Sequence, residues 1–117
     1  MEFRVEERGG TLIMSPRVSR IDVGNAQDFK GLVGKMLKEK GAKSLLLDLG
    51  EVEFMDSTAL GAIVAIFKGI KSEGGELRIC GLSELVKELF EITKLNSIIP
   101  LYESRESALQ GAREGQE

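Results

Sequence analysis

The sequence contains no histidine, no tryptophan, one cysteine and two prolines. Without histidine, Ser-His-Asp and Cys-His nucleophile systems and the usual histidine-bearing zinc sites are excluded. A lone cysteine, Cys80, permits neither an intramolecular disulfide nor an all-thiolate metal site. Following the strand-like Leu77-Arg78-Ile79, it reads as a small buried thiol. No basic run is present, and a net charge of −3 argues against nucleic acid, whose binders carry basic patches. The longest apolar stretch, Ala59 to Phe67, falls far short of the ~20 residues that cross a bilayer. The opening Met1-Glu2-Phe3-Arg4-Val5-Glu6-Glu7 is too acidic for a secretory leader. A cytoplasmic protein without membrane insertion is therefore expected. Phosphate loops of the G-x-x-x-x-G-K-[ST] and G-x-G-x-x-G types are missing, as is the G-x-S-x-G elbow, and no metal or organic cofactor is implied.

What remains is ordinary globular material: 117 residues, 42% apolar and 30% charged, enough for one domain over residues 1–117 with one core. Two β-prone runs, 2–7 and 11–18, flank Arg8-Gly9-Gly10, which reads as a hairpin turn. Asn25 is placed as the N-cap of a helix whose apolar side is Ala26, Phe29, Leu32, Val33, Met36 and Leu37, ended by Gly41. Leu45-Leu46-Leu47 suits a strand covered on both faces. A helix over about 57–73, a strand at 77–80, and a helix over 83–94 with Leu85, Val86, Leu89, Phe90 and Ile92 inward follow, with Asn96 as its cap. Ile98 to Leu101 is read as an edge strand because of Pro100, and a weaker helix closes the chain from Ser104 to about Glu114. The order β-β-α-β-α-β-α-β-α implies an α/β fold with a single mixed sheet and packed helices.

Asp48 at a strand end resembles the phosphoacceptor of a response-regulator receiver. That chemistry needs further carboxylates around a magnesium ion and a regular strand-helix alternation from the first strand, and this chain has neither. Asp56-Ser57-Thr58 stands at a helix start, where capping alone would account for such residues. The helix that follows gives them added weight. Leu60, Ile63, Val64 and Phe67, with Ile70 at the margin, form its core stripe. The other side carries only small residues, Thr58, Ala62, Ala65, Gly69 and Ser72, and no charge precedes Lys68. A face so poor in charge fits either a partner or a neighbouring helix of the same domain. A phosphate on Ser57 would place about −1.5 to −2 charges at the edge of that face.

The segment Val52-Glu53-Phe54-Met55-Asp56-Ser57-Thr58-Ala59-Leu60-Gly61, after Leu45-Leu46-Leu47-Asp48-Leu49, resembles the signature of STAS domains, and more narrowly of bacterial anti-sigma factor antagonists. Arg20-Ile21-Asp22 before Asn25-Ala26, Gly74-Gly75 with Leu77, and Ser107-Ala108-Leu109 extend the resemblance over nearly the whole chain. It implies a STAS-like fold and a binding switch that is not an enzyme. The unphosphorylated form would bind an anti-sigma factor serine kinase and free the sigma factor. Phosphorylation at Ser57, with Thr58 as the fallback acceptor, would end binding, and a serine phosphatase would reset it. The residues then implicated in partner binding are Asp22, Asn25, Asp56, Ser57, Thr58, Ala62, Ala65 and Gly69. Family members commonly carry glycine where Ser19 and Ala59 stand. The alternative function is a non-switching STAS subunit of a transporter-associated complex or signalling scaffold.

Overall fold

A computed structural model describes residues 1–114, with side chains through 111; residues 115–117, included in the expected domain, lie outside the described residues. β1 (Phe3–Arg8) and β2 (Thr11–Pro16) pair antiparallel with Arg8 opposite Thr11. The two-residue loop between them is Gly9-Gly10, with φ of 55° and 83°. Positive φ at both central positions is what a tight hairpin demands, and only glycine adopts it without strain. β2 then pairs in parallel with β4 (Ser44–Asp48), β4 with β6 (Glu76–Cys80), and β6 with β7 (Leu101–Tyr102), giving the order β1-β2-β4-β6-β7. Between them run the helices α1 (Ala26–Lys40), α2 (Ser57–Ser72), α3 (Glu84–Ile92) and α4 (Arg105–Glu114).

Alternation along the strands divides the interior in two. Leu12, Met14, Leu45, Leu47, Leu77 and Ile79 face the large core shared with α1, α2 and α3. Ile13, Leu46 and Cys80 face the opposite side and meet Ala108 of α4. Leu45-Leu46-Leu47 is thus buried on both faces, as its continuous hydrophobicity predicts. Burial pushes the Cys80 thiol up to about 12, so it is uncharged and inert at neutral pH.

Several expectations are corrected. The expected mixed sheet is the five-stranded one, and β3 (Arg20–Ile21) and β5 (Phe54–Met55), absent from the expected order, add a small two-stranded parallel sheet beside it. The last strand begins at Leu101; Ile98, Ile99 and Pro100 precede it, although β7 does lie at the sheet edge. Asn96 does not cap α3. The helix stops at Ile92 with Thr93 at its C-cap, Lys94 is left-handed (φ 62°), and Asn96 lies in a short 3₁₀ turn, Leu95–Ser97. In α3 only Val86 and Phe90 are fully buried, whereas Leu85 and Ile92 are 48% and 77% exposed. At about 100° per residue these two lie roughly 100–120° from Val86, outside the narrow stripe that meets the core. In α2 the buried set is Ala59, Leu60, Ala62, Ile63, Ile66 and Ile70, with Val64 and Phe67 only half-buried. The buried arc is wider than a simple core stripe because α2 packs against both the sheet and α1.

Arg105 fastens α4 to the sheet. Its Nε donates to Asp48 Oδ2 (2.6 Å), Nη2 donates to Ser15 Oγ (2.7 Å), and Nη1 donates to Glu6. The bond from Arg105 holds the Glu6 carboxyl below its ordinary pKa. Asp48 therefore serves this clamp, and no group of three acidic, cysteine or histidine side chains able to hold a metal occurs among the described residues.

Candidate functional site

The small β3–β5 sheet brings together two loops distant in sequence. Arg20 pairs with Phe54 and Ile21 with Met55, so the turn after β3 abuts the start of α2. Asp22 organises that turn. Its Oδ1 accepts from Gly24 N (2.9 Å), its Oδ2 accepts from Arg20 Nε (2.9 Å), and its carbonyl accepts from the Ala26 amide (2.8 Å). Asn25 occupies the N-cap position of α1, but its side chain makes no cap bond. Instead Oδ1 accepts from Asp22 N (2.9 Å) and Nδ2 donates to Arg20 O (3.0 Å), closing the turn on itself. The Arg20 guanidinium lies 4.7 Å from the centre of the Phe54 ring, a cation–π contact that braces the two strands.

Asp56 is the N-cap of α2, and its carboxylate is divided between two tasks. Oδ1 accepts from Ala59 N (2.9 Å), and Oδ2 accepts from Val23 N across the loop (3.0 Å). Capping thus belongs to Asp56, which releases Ser57 from that duty. Ser57 and Thr58 are exposed in the first turn, and neither hydroxyl has a hydrogen-bond partner among the described residues. Their amides are two of the orphan donors that every helix start leaves. Ala59 is fully buried.

The STAS domain family model matches residues 2–108. The chain belongs to the STAS domain family. Among STAS relatives, a candidate anti-sigma factor antagonist of Thermotoga neapolitana is 34% identical over 99 residues, covering 85% of this chain and 87% of the relative. The anti-sigma-B factor antagonist of Bacillus subtilis strain 168 is 43% identical over 74 residues, 63% of this chain and 67% of that one. The crystal structure of a candidate anti-sigma factor antagonist from Thermotoga maritima superimposes with a TM-score of 0.87 at 30% identity, covering 95% and 94% of the two chains.

In this STAS domain the residues singled out from sequence fall into two places. Asp22, Asn25 and Asp56 gather at the β3–β5 end through the bonds just described, and Ser57 and Thr58 stand there because they follow Asp56 in the first turn of α2. Ala65 and Gly69 are exposed two to three turns along α2, where they border a groove against α1, and Ala62 is buried. Gly61, one turn beyond Ser57, continues the exposed charge-free row toward Ala65, and a Cβ there would meet nothing within 4 Å. Sequence reasoning passes over Val23, which is 76% exposed, and the partly exposed Phe54, both beside the Asp56 carboxylate in the chain or through its bonds. A lone valine between Asp22 and Gly24 has no periodic partner to mark it. No described helix is long and apolar enough to cross a membrane.

Proposed function

We propose that this STAS domain is an anti-sigma factor antagonist whose unphosphorylated form binds an anti-sigma factor serine kinase at the β3–β5 end, releasing the sigma factor. Phosphorylation of Ser57 ends the binding, and a serine phosphatase restores it. The observation that carries this reading is that the Ser57 hydroxyl is exposed and unbonded, while the neighbouring Asp56 alone caps the helix. Modification of Ser57 therefore removes no bond on which the fold depends. A phosphate there adds about −1.5 to −2 charges, and the free amides of the first turn can accommodate part of it. The rest faces outward beside the Asp56 carboxylate, on a row that carries no charge until Lys68. A partner that docks there must desolvate the phosphate against like charge. A penalty of ~3 kcal/mol lowers affinity more than a hundredfold. Val23 and Phe54 supply apolar contact at the same end, and the relatives named as anti-sigma factor antagonists support the assignment.

The test is to incubate the protein with its cognate kinase and ATP, locate the phosphate by mass spectrometry, and titrate the variants against the kinase. Phosphate on Ser57 and loss of binding by Ser57→Asp are expected. Phosphate found only elsewhere, Thr58 included, defeats the assignment of Ser57. A Ser57→Asp protein that binds like wild type defeats the switch and favours a constitutive subunit.

A further inference from the structure

Two surfaces of the molecule complement each other, and the first shares Ala65 and Gly69 with the residues that the family resemblance implicates in partner binding. The first is a groove of about 600 Å³ between α1 and the C-terminal half of α2. Ile66, Ile70 and Leu37 line it with apolar surface, and Lys30, Lys38 and Lys43 line it with charge against one acid, Glu73. None of the three lysines has an ion-pair partner among the described residues. Gly34 of α1 and Gly69 of α2 border the groove, and a Cβ on either would meet nothing within 4 Å. Helix-interior glycine is unfavourable, and the packing of this chain does not require it at either position. Their bareness lets another backbone come close.

The second surface is the outer side of α3. Leu85 and Ile92 are exposed with half-buried Leu89 between them, at i, i+4 and i+7, and exposed Ile98 lies in the segment just after the helix. Glu84, Glu88 and Glu91 accompany this stripe, with Lys87 as the only base in the helix. An acidic helix with an exposed apolar stripe is the shape that docks in a helix-lined groove. The dimensions agree as well. Glu84 to Glu91 spans about 10 Å along α3, and Lys30 to Lys38 about 12 Å along α1.

We infer that the α3 stripe of one copy docks into the α1–α2 groove of a second copy. The two surfaces differ, so the contact is head-to-tail: a pair of copies keeps one groove and one α3 free, and assembly proceeds to a ring or a filament. The near end of the groove, at Ala65, lies about 12 Å along α2 from Ser57, beyond a screening length of ~8 Å, so phosphorylation is expected to leave this association unchanged.

Sedimentation velocity of the full chain over a concentration series tests the inference. Wild type is expected to associate, more weakly as salt is raised, and Ser57→Asp to behave identically. Gly34→Leu/Gly69→Leu fills the groove, and Leu85→Ser/Ile92→Ser strips the helix; each is expected to be monomeric and folded by circular dichroism, with the first melting no lower than wild type because leucine is the better helix former. Mixing the two is the decisive step, because the first variant keeps a functional α3 and the second a functional groove. They should form a one-to-one dimer that grows no further. Should the groove-filling variant fold poorly, Lys38→Glu/Lys43→Glu replaces it, with roughly tenfold weaker association expected. A wild type that stays monomeric to its solubility limit overturns the inference. So does association that survives both double variants, or two variants that do not pair. Loss of association in Ser57→Asp overturns the separateness of the two sites.

Discussion

The Asp56 carboxylate holds Ala59 N at 2.9 Å through one oxygen and Val23 N at 3.0 Å through the other, so one side chain starts α2 and anchors the loop after β3. Asp56→Ala should destabilise the fold by about 1–2 kcal/mol, the ordinary value of a lost cap, measured by urea denaturation. Asp56→Asn retains an acceptor for Ala59 but cannot also accept from Val23. It is therefore expected to lose less stability while still losing amide-exchange protection at Val23. Unchanged protection at Val23 in both variants would contradict the dual role.

Gly61 separates stability from recognition. Its Cβ position is open, so Gly61→Ala should stabilise α2 by about 1 kcal/mol through helix propensity. The added methyl stands on the exposed row beyond Ser57, and under the proposed function affinity for the kinase should fall, roughly tenfold. A variant that is more stable and binds equally well would remove Gly61 from the docking face.

Removing the α4 clamp leaves Asp48, whose side chain is 20% exposed, without its cation. Arg105→Ala should cost about 2–3 kcal/mol, with amide exchange rising first across α4. Arg105→Lys cannot reproduce the three-way fork and should recover only part of that loss.

Acid should weaken the same clamp through Glu6. Its folded pKa is lowered by the bond from Arg105, so its contribution is fully present above the unfolded value of about 4.3 and disappears as pH falls through the folded one. Wild type should be more stable than Glu6→Gln at neutral pH, and the gap should close as denaturation midpoints are followed below about pH 4. A gap that widens on acidification would show that Arg105 does not set the Glu6 proton affinity.

Arg78 lies buried on β6. Its Nη2 meets Glu76 at 2.8 Å, but Nε and Nη1 have no partner among the described residues. Buried guanidinium nitrogens without acceptors cost desolvation that nothing offsets. Arg78→Met should be neutral or more stable by about 1 kcal/mol in urea titration; a loss of comparable size would mean that the guanidinium is satisfied in solution.

The elements that sequence makes legible are those with a local physical signature. Gly9-Gly10 marks the hairpin, Leu45-Leu46-Leu47 the doubly covered strand, and Asp56 the start of α2. β3 and β5 leave no such trace, because two residues have no periodicity and their pairing depends on a contact between positions over thirty residues apart. Leu85 and Ile92 mislead for a related reason: helical spacing says which residues share a side, but not how wide an arc the rest of the fold will cover. At the candidate site, Ser57 is distinguished by chemistry and resemblance. The bonds linking Asp22, Asn25, Arg20 and Asp56 follow from tertiary placement, and no spacing in the sequence announces them.

The loops of the candidate site hang on a ladder of two residue pairs outside the five-stranded sheet. Few core contacts depend on Val23, Gly24 or Phe54, so substitutions there act mostly on what is bound and little on whether the chain folds. Domains of this architecture can therefore diverge in what each one binds by changes in a handful of loop positions. Selectivity is then set at the rim of the molecule, while drift in the core proceeds under a separate constraint.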